Sequence, residues 1–309
     1  MSRPAEGRSK TPVLITMGEP AGIGPEVAAK AWRVLGGDCG ERPLRLTGDP
    51  AAFRLHADIP DEAFWPVDQS HGGNPVVAAI ETAVSAAMAS RAGAVVTAPV
   101  QKSKLLDAGF PFAGHTEYLA KLTGAPRAVM MLVGANLRVV PLTIHCPLAE
   151  VPARISQRDI VETAEIVLAA LENDFRLARP RLAIAGLNPH AGEAGKLGSE
   201  ETEIIQPAVE NLRRRGRRVS GPLSADTMFH AEARSQYDAA LCMYHDQALI
   251  PLKTLAFLEG VNITLGLPIV RTSPDHGTAP DIVGQNKADA RSMIAAIRTA
   301  AALADARNC

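Results

Sequence analysis

The chain has 309 residues, which at roughly 150 residues per domain predicts two domains or one large α/β unit. Hydrophobic residues make up 47% and charged residues 21%, a balance that excludes an intrinsically disordered chain. The net charge of −1 and the 4% of aromatic residues argue against general attraction to nucleic acid or to an anionic membrane.

Short β-branched runs alternate along the chain with longer helical patterns. We predict strands at residues 13–16, 44–47, 94–98, 128–132, 137–144, 182–185, 239–243 and 261–265. We predict helices at residues 26–35, 75–90, 156–171, 200–215 and 289–306. Alternation of this kind is typical of an α/β fold with a mainly parallel sheet and helices on both faces.

Polar segments directly follow several of the predicted strands. In chain order they contain MGEPAGIGPE, PVQK, His145, NPHAGE and YHDQ, and we expect each to be a loop. Ligands of parallel α/β sheets bind beyond the carboxyl ends of the strands. The sequence therefore predicts one cleft on which these polar side chains converge.

Three histidines have the same position relative to a strand. His145, His190 and His245 each follow an apolar strand by zero to four residues. Three neutral imidazoles are a suitable ligand set for a divalent transition metal and leave positions for water or substrate. Any one of them taken singly could be a structural residue, but their shared position favours a common metal site.

Basic and polar residues in the last third of the chain indicate binding of an anion. Lys253, Asn262 and Arg271 lie in a segment rich in Gly and Pro turns, and arginine binds carboxylate or phosphate through its bidentate fork. His115 and Thr116 precede a helix whose positive N-terminal end also favours anions. The alternative for Lys253 or Arg271 taken singly is a solvated surface charge.

Two further motifs have structural interpretations. The segment GEPAGIGP follows the first strand but matches neither GxGxxG nor the Walker pattern, so it indicates only a tight turn that a ligand can approach. The run RRRGRR at residues 213–218 ends a predicted helix and has no interleaved aromatics, which indicates a solvated face.

The cysteines and the apolar runs bear on the compartment. Cys39, Cys146, Cys242 and Cys309 form no CxxC motif and suggest no disulfide framework. The N-terminal segment has no hydrophobic region of the signal-peptide type, and no apolar run reaches the ~18 residues of a membrane span. We therefore expect a cytoplasmic protein with no membrane and no nucleic-acid partner.

Seven motifs together resemble those of one enzyme family, the 4-hydroxythreonine-4-phosphate dehydrogenases of pyridoxal phosphate biosynthesis. They are TMGEPAGIGPEV, AGHTEYLA, TIHCPL, GLNPHAGE, GPLSADTMF, MYHDQALIPLK and GVNITLGLPIVRTSPDHGTA, between residue 13 and about residue 290. The resemblance implies a two-domain α/β/α fold like that of the isocitrate and isopropylmalate dehydrogenases, with the active site in the interdomain cleft. It implies a first domain of residues 1–126 plus 275–309 and a second of residues 127–274, which carries the metal histidines and the dimer contacts.

The resemblance also implies an activity. The family oxidises the C3 hydroxyl of 4-phosphohydroxy-L-threonine with NAD and one divalent metal, and loss of CO₂ gives 3-amino-2-oxopropyl phosphate. Zinc, cobalt and magnesium are all candidate metals, and NADP is an alternative cofactor. Related dehydrogenases that act on 4-phosphothreonate or 4-phosphoerythronate are an alternative, as are a metal hydrolase for a small phosphorylated compound and a non-catalytic binding protein.

Carried over residue by residue, the resemblance assigns roles to three groups of residues. It makes His145, His190 and His245 the metal ligands, and His115, Thr116, Lys253, Asn262 and Arg271 the residues that bind the phosphorylated hydroxy-acid substrate. It places His276, Gly277, Thr278 and Ala279 at the adenosine side of NAD, and leaves Lys253, Asp246 and Asp226 as candidate catalytic residues. It implies a homodimer whose site is shared across the interface, with one metal histidine, His245 by analogy, supplied by the partner.

Overall fold

The computed structural model describes residues 10–68, 74–101 and 115–307, which divide into two compact units. Unit 1 consists of Met1–Pro126 and Leu267–Cys309, and unit 2 is Arg127–Gly266. The second division lies at residues 266 and 267, whereas the resemblance placed it at residue 275. Within the described residues, no helix is both long enough and apolar enough to cross a bilayer.

Unit 1 contains a mainly parallel sheet with the strand order β2-β3-β1-β5-β12, in which β4 also pairs with β3. Only the β2–β3 pair is antiparallel among the described pairings of this unit. The strands are β1 (Val13–Thr16), β2 (Asp38–Cys39), β3 (Arg42–Thr47), β4 (Phe64–Trp65), β5 (Ala94–Thr97) and β12 (Arg271–Pro274). The helices are α1 (Gly24–Leu35), α2 (Pro50–Arg54), α3 (Pro75–Met88), α4 (His115–Thr123) and α10 (Arg291–Arg307), with 3₁₀ turns at Asp61–Ala63 and Pro280–Ile282.

Helix α1 shows how local sequence sets the element bounds in unit 1. Proline in its first turn suits the start of a helix because that position needs no backbone N–H partner. Gly36, with φ of 72°, ends the helix in a left-handed cap that accommodates glycine without strain. The four residues of β1 are all buried, as expected for a central strand covered on both faces.

Unit 2 contains a mixed sheet with the strand order β11-β6-β7-β10-β8-β9. The pairs β11–β6 and β6–β7 are antiparallel, and β7, β10, β8 and β9 run parallel. The strands are β6 (Val129–Gly134), β7 (Leu137–Thr143), β8 (Arg181–Ala185), β9 (Arg218–Leu223), β10 (Ala239–Tyr244) and β11 (Val261–Leu265). The helices are α5 (Val151–Arg154), α6 (Gln157–Asn173), α7 (Gln206–Arg214), α8 (Ala231–Arg234) and α9 (His245–Ala256), with 3₁₀ turns at Leu148–Glu150 and Pro189–Gly195 and a π-helix at Glu201–Ile205.

The eight predicted strands and five predicted helices are confirmed within a few residues at their ends, although a π-helix begins the one predicted at 200–215. Four strands were not predicted. Two of them, β2 and β4, have only two residues each, while β9 contains Gly-Pro and β12 contains polar residues. The prediction of a loop at YHDQ was wrong, since α9 begins at His245 directly after β10. Pro251 lies in the interior of α9, and because proline normally breaks a helix, the sequence pattern did not predict this one.

Candidate active site

Three histidines lie at the carboxyl ends of three neighbouring strands of unit 2. His145 follows β7, His190 lies in the 3₁₀ segment after β8, and His245 is the first residue after β10. Strand β10 pairs in parallel with both β7 and β8, so the three strand ends share one edge of the sheet. The rings of His145 and His245 have centroids 6.2 Å apart and an interplanar angle of 39°.

A chain of buried hydrogen bonds connects these strand ends. The Thr143 hydroxyl donates to the Met243 carbonyl oxygen at 2.8 Å, which ties the end of β7 to that of β10. The Gln247 side-chain oxygen accepts from the Met243 N–H at 2.7 Å, and its amide nitrogen donates to the Gly186 carbonyl oxygen at 2.8 Å. Thr143 and Gln247 therefore fix the spacing of the three histidine-bearing segments. Neither residue was predicted from the sequence, because no local pattern indicates that it is buried.

The segment that carries His190 has an unusual backbone. The five residues from His190 to Ala194 all lie in the left-handed region, with φ between 45° and 77°. Only Gly192 among them is a glycine, and each of the other four costs roughly 1–2 kcal/mol in this conformation. Such a turn persists only where surrounding contacts hold it in place.

A buried carboxylate lies against this turn. Glu201, which is 2% exposed, accepts hydrogen bonds from the backbone N–H groups of Leu187 and Asn188, each at 2.7 Å. The Asn188 side-chain amide donates to Glu201 at 2.9 Å and to Glu200 at 2.7 Å. These bonds hold the chain immediately before His190. Glu201 was also missed, because a glutamate at the start of a predicted helix is ordinarily solvent exposed.

His245 makes a contact that suits a metal ligand. Its Nδ1 lies 2.7 Å from Oδ1 of Asp246, a carboxylate that is mostly exposed. A carboxylate on one ring nitrogen orients the imidazole and leaves Nε2 available to a metal. A cavity of about 260 Å³ adjoins these side chains. It is lined by Thr143, Ile144, His145, Cys146, Leu148, Val151, Tyr244, His245 and Asp246.

Two of the three histidines lie near the spacing that a shared metal ion requires. In tetrahedral geometry, with metal–nitrogen distances of about 2.1 Å, two imidazoles bound to one ion have ring centroids about 5.3 Å apart. The 6.2 Å between His145 and His245 is about 1 Å wider, so this pair would have to move slightly closer to bind one divalent cation. Among the residues described for this chain, however, no three His, Cys, Asp or Glu side chains come together as a metal-binding group. The assignment of all three histidines to one ion remains a prediction.

Asp226, one of the candidate catalytic residues, follows β9. The Ser224 hydroxyl donates to its Oδ1 at 2.6 Å, and this bond is the main reason that the pKa of Asp226 is lowered. A weaker electrostatic interaction with His190 also lowers the pKa of Asp226. Asp226 is therefore an anion at neutral pH.

The other predicted substrate residues of unit 2 lie on α9 and β11. Lys253 is half-buried on α9, and its Nζ lies 5.5 Å from the centre of the Phe257 ring. This residue was expected in a turn-rich segment and is helical instead. Asn262 is half-buried in β11, in register with Leu132 of β6. The sheet fixes the backbone of Asn262, while Lys253 extends from a helix.

Arg271 of unit 1 is a buried cation and not a solvated surface charge. It is 3% exposed as the first residue of β12, and its Nη2 donates to the Thr97 hydroxyl at the end of β5. Burial lowers the pKa of Arg271 to about 10, which leaves it protonated at neutral pH. A buried guanidinium is suited to bind an anion, since little water competes for its N–H groups. Thr97, its hydrogen-bond partner, was not predicted from the sequence.

Two other predicted substrate residues begin α4. Thr116 is half-buried in the first turn of this helix. His115 is its first residue, and the His115 side chain lies outside the part of the chain that the structure describes. The backbone N–H groups of a helix start are suited to an anion, as expected from the sequence.

The turn proposed to meet the nucleotide, His276 to Ala279, has an unsatisfied polar atom. The Nδ1 of His276 lies 3.0 Å from the Gly277 carbonyl oxygen, and its buried Nε2 has no hydrogen-bond partner among the described residues. The Thr278 carbonyl oxygen accepts from the Ile23 N–H at 3.0 Å, and Ala279 is left-handed with φ of 40°. An orphaned imidazole nitrogen fits a ligand with hydrogen-bonding groups, as a dinucleotide has.

The fold is that of the isocitrate/isopropylmalate dehydrogenase-like α/β proteins. The family model described as "Pyridoxal phosphate biosynthetic protein PdxA" matches residues 55–300, and the chain therefore belongs to this family of oxidoreductases. The resemblance expected from the motifs is thus confirmed.

Three relatives illustrate the similarity. The chain is 50% identical to the 4-hydroxythreonine-4-phosphate dehydrogenase of Paracoccus denitrificans, over 96% of this chain and 98% of that protein. The crystal structure of the 4-hydroxythreonine-4-phosphate dehydrogenase from Klebsiella pneumoniae has a TM-score of 0.82 at 35% identity, covering 96% of this chain and 100% of that chain. A terephthalate 1,2-cis-dihydrodiol dehydrogenase from Burkholderia xenovorans has a TM-score of 0.64 at 28% identity, covering 95% and 98%.

Proposed function

We propose that this chain oxidises 4-phosphohydroxy-L-threonine at C3 with NAD and a divalent metal. Decarboxylation of the product would give 3-amino-2-oxopropyl phosphate for pyridoxal 5′-phosphate synthesis. The observation that carries the proposal is the 50% identity, over 96% of the chain, to a relative named for action on this substrate. The strand-end histidines and the buried Arg271 support it, because they suit a metal and an anionic substrate.

The metal would be held by His145, His190 and His245. The proximity of the His145 and His245 rings and the contact of His245 with Asp246 support this assignment. A bound zinc, cobalt or magnesium ion would supply positive charge that favours ionisation of the C3 hydroxyl and withdraws electrons as CO₂ leaves. The hydrogen bond from the Thr143 hydroxyl to the Met243 carbonyl oxygen would hold the segments of His145 and His245 at a constant separation.

The substrate would be bound by Arg271, Lys253 and Asn262, together with His115 and Thr116 at the start of α4. Arg271 is the strongest of these candidates, because its burial strengthens any contact with phosphate or carboxylate. Lys253, Asp246 and Asp226 are candidates for proton transfer at the C3 hydroxyl. Asp226 is an exposed carboxylate whose pKa is lowered, which keeps it deprotonated and makes it a weak base.

The nucleotide would contact the turn formed by His276, Gly277, Thr278 and Ala279. NAD, or NADP in its place, would accept the hydride from C3. The orphaned Nε2 of His276 would hydrogen bond to the nucleotide, and the bond from Ile23 to Thr278 would keep the turn in position. The role of the protein in this step is to orient the two reactants.

We further propose a homodimer in which each site takes one histidine from the partner subunit. The family resemblance points to His245 as that residue. The proximity of His145 and His245 within one chain favours His190 instead. Crosses between inactive variants distinguish these two assignments, as described in the Discussion.

A substrate panel tests the proposed activity. The purified protein is incubated with NAD or NADP, with zinc, cobalt or magnesium, and with 4-phosphohydroxy-L-threonine, 4-phosphothreonate or 4-phosphoerythronate. We expect the reduced-nicotinamide absorbance to rise fastest with 4-phosphohydroxy-L-threonine, and to stop rising when a chelator is added. Faster turnover of either other phosphorylated acid would reassign the substrate within the same reaction class.

Two controls address other enzyme classes. Release of inorganic phosphate without any nucleotide would identify a hydrolase and contradict the proposal. A cis-dihydrodiol of an aromatic dicarboxylate should be a poor substrate, although a structural relative at 28% identity is named for such a compound. Arginine binds both carboxylate and phosphate, so this control measures which of the two anions the site prefers.

A further inference from the structure

We propose that Glu201 is a positioning residue that pins the left-handed turn bearing His190. On this view, metal binding depends on a carboxylate that touches neither the metal nor the substrate. The inference rests on the proposed metal-binding role of His190. It goes beyond that role because it concerns how the unfavourable backbone conformation of the His190 turn is maintained before the metal binds.

The turn is unfavourable for its own residues. Residues His190 to Ala194 are all left-handed, within a segment that keeps the backbone bonds of a 3₁₀ turn. Further backbone bonds run from the Ala191 N–H to the Asn188 oxygen at 3.1 Å, from the Lys196 N–H to the Glu193 oxygen at 3.3 Å and from the Leu197 N–H to the Gly192 oxygen at 3.0 Å. Non-glycine residues return to right-handed or extended conformations unless tertiary contacts prevent it. The imidazole of His190 would move with its backbone.

Glu201 holds the chain that enters the turn from another element. One of its oxygens, Oε1, accepts from both Leu187 and Asn188, and the other, Oε2, accepts from the Asn188 side chain. Charge-assisted bonds to a buried carboxylate are about twice as strong as neutral ones. The two residues that enter the turn are therefore fixed by a single side chain.

The turn is also shaped around this carboxylate. A Cβ built on Gly192, where φ is 77°, would lie 2.5 Å from Glu201 Oε2, and one built on Gly186 would lie 3.1 Å from Oε1. Only glycine at position 192 allows both the backbone conformation and the close approach. The middle of the turn thus packs directly on Glu201, in addition to the bonds at its start.

The element that carries Glu201 is firmly anchored. Glu201 is the first residue of the π-helix, which continues directly into α7. The fully buried Ile205, Val209 and Leu212 fasten this continuous element to the core of unit 2. A π-helix inside a longer helix is frequent at functional sites, where it re-aims a side chain. Here it directs Glu201 to the base of the His190 turn.

The experiment compares three variants with the wild type in the full-length protein. Glu201→Gln removes the charge and sets an NH₂ group against the Asn188 amide. Gly192→Ala disturbs the same contact from the side of the turn. Glu203→Gln is the matched control, since it makes the same chemical change at an exposed position of the same π-helix. Calorimetric titration with Co²⁺ alone gives Kd, and hydrogen exchange of the metal-free protein reports on the Leu187 and Asn188 amides.

We expect Kd for Co²⁺ to rise about 10- to 100-fold in Glu201→Gln and Gly192→Ala, as is usual when a residue that orients a metal ligand is changed. Exchange at Leu187 and Asn188 should accelerate in Glu201→Gln even without metal, and Glu203→Gln should match the wild type in both readouts. Wild-type Kd in both disrupting variants, with or without a lowered Tm, would overturn the inference and leave the proposed function intact. Failure of the wild type to bind Co²⁺, Zn²⁺ or Mg²⁺ would overturn the proposed metal centre and this inference with it.

Discussion

Gln247 donates a hydrogen bond to the carbonyl oxygen of Gly186 at 2.8 Å, across 61 residues of sequence. The same side chain accepts from the Met243 N–H, two residues before His245. One glutamine thus joins the strand that leads to His190 with the strand that leads to His245. The spacing of two candidate metal ligands depends on a residue that touches neither.

Replacement of Gln247 by leucine should destabilise the protein by about 2–4 kcal/mol, because it leaves a buried N–H and a buried carbonyl without partners. Urea unfolding should show a lower midpoint with an unchanged slope. Gln236→Leu is the control, since Gln236 is exposed and undergoes the same chemical change. Equal midpoints for Gln247→Leu and wild type would contradict the role given to these bonds.

The ion pair of Asp238 with Arg181 should make stability depend on acid pH. Burial raises the pKa of Asp238, but hydrogen bonds from the Arg181 side chain and backbone N–H outweigh it and lower the pKa overall. A lowered carboxylate pKa contributes stability above the unfolded-state value of about 3.9, and this contribution disappears as pH falls through the folded-state value. Asp238→Asn should therefore be less stable than wild type near pH 7, by about 1–2 kcal/mol.

The difference between Asp238→Asn and wild type should shrink steadily as the pH is lowered below about 4, and disappear below the folded-state pKa, where Asp238 is neutral in both states. Denaturant midpoints measured at a series of pH values check this. Asp58→Asn, at an exposed position, should follow the wild type throughout. If the difference in denaturant midpoint between Asp238→Asn and wild type stayed constant down to the lowest pH, the charge of the Asp238 carboxylate would not stabilise the fold.

The buried Arg271 should carry a large share of substrate recognition. We expect Arg271→Met to lower kcat/KM by about 30- to 1000-fold, the equivalent of about 2–4 kcal/mol for a charge-assisted contact. Thr97→Val removes only the hydroxyl that accepts from Arg271, so it should cost about 5- to 30-fold. Arg158→Met is the control at a side chain that is 82% exposed. Near-normal kcat/KM in Arg271→Met would exclude this residue from the site.

Crosses between histidine variants should reveal which ligand comes from the partner subunit. A mixture of His245→Ala and His190→Ala should recover roughly a quarter of wild-type activity, because about half the dimers are mixed and each holds one intact site. Mixtures with His145→Ala then separate the two assignments. Recovery with His245→Ala but not with His190→Ala identifies His245 as the shared ligand. Recovery with His190→Ala but not with His245→Ala identifies His190. Subunit exchange without recovery in any cross would show that each chain holds its own three ligands.

The positions of the candidate ligands along the chain could be predicted because they depend on local pattern. Apolar strands such as β7 and β10 have short β-branched runs, and a parallel sheet brings their carboxyl ends to one edge whatever the rest of the fold does. The glycine and proline at the ends of α1 likewise act within one turn of helix. These signals are present in any window of about ten residues.

Other features required the tertiary structure, because they depend on contacts between residues far apart in sequence. The Thr143 hydroxyl meets a carbonyl 100 residues away, and Arg271 meets Thr97 across 174 residues. Burial of Arg271 and Glu201 cannot be deduced from their neighbours, since each is a charged residue whose local pattern is that of the surface. The left-handed turn at His190 is unfavourable for its own residues and exists because Glu201, on another element, binds the chain that enters it.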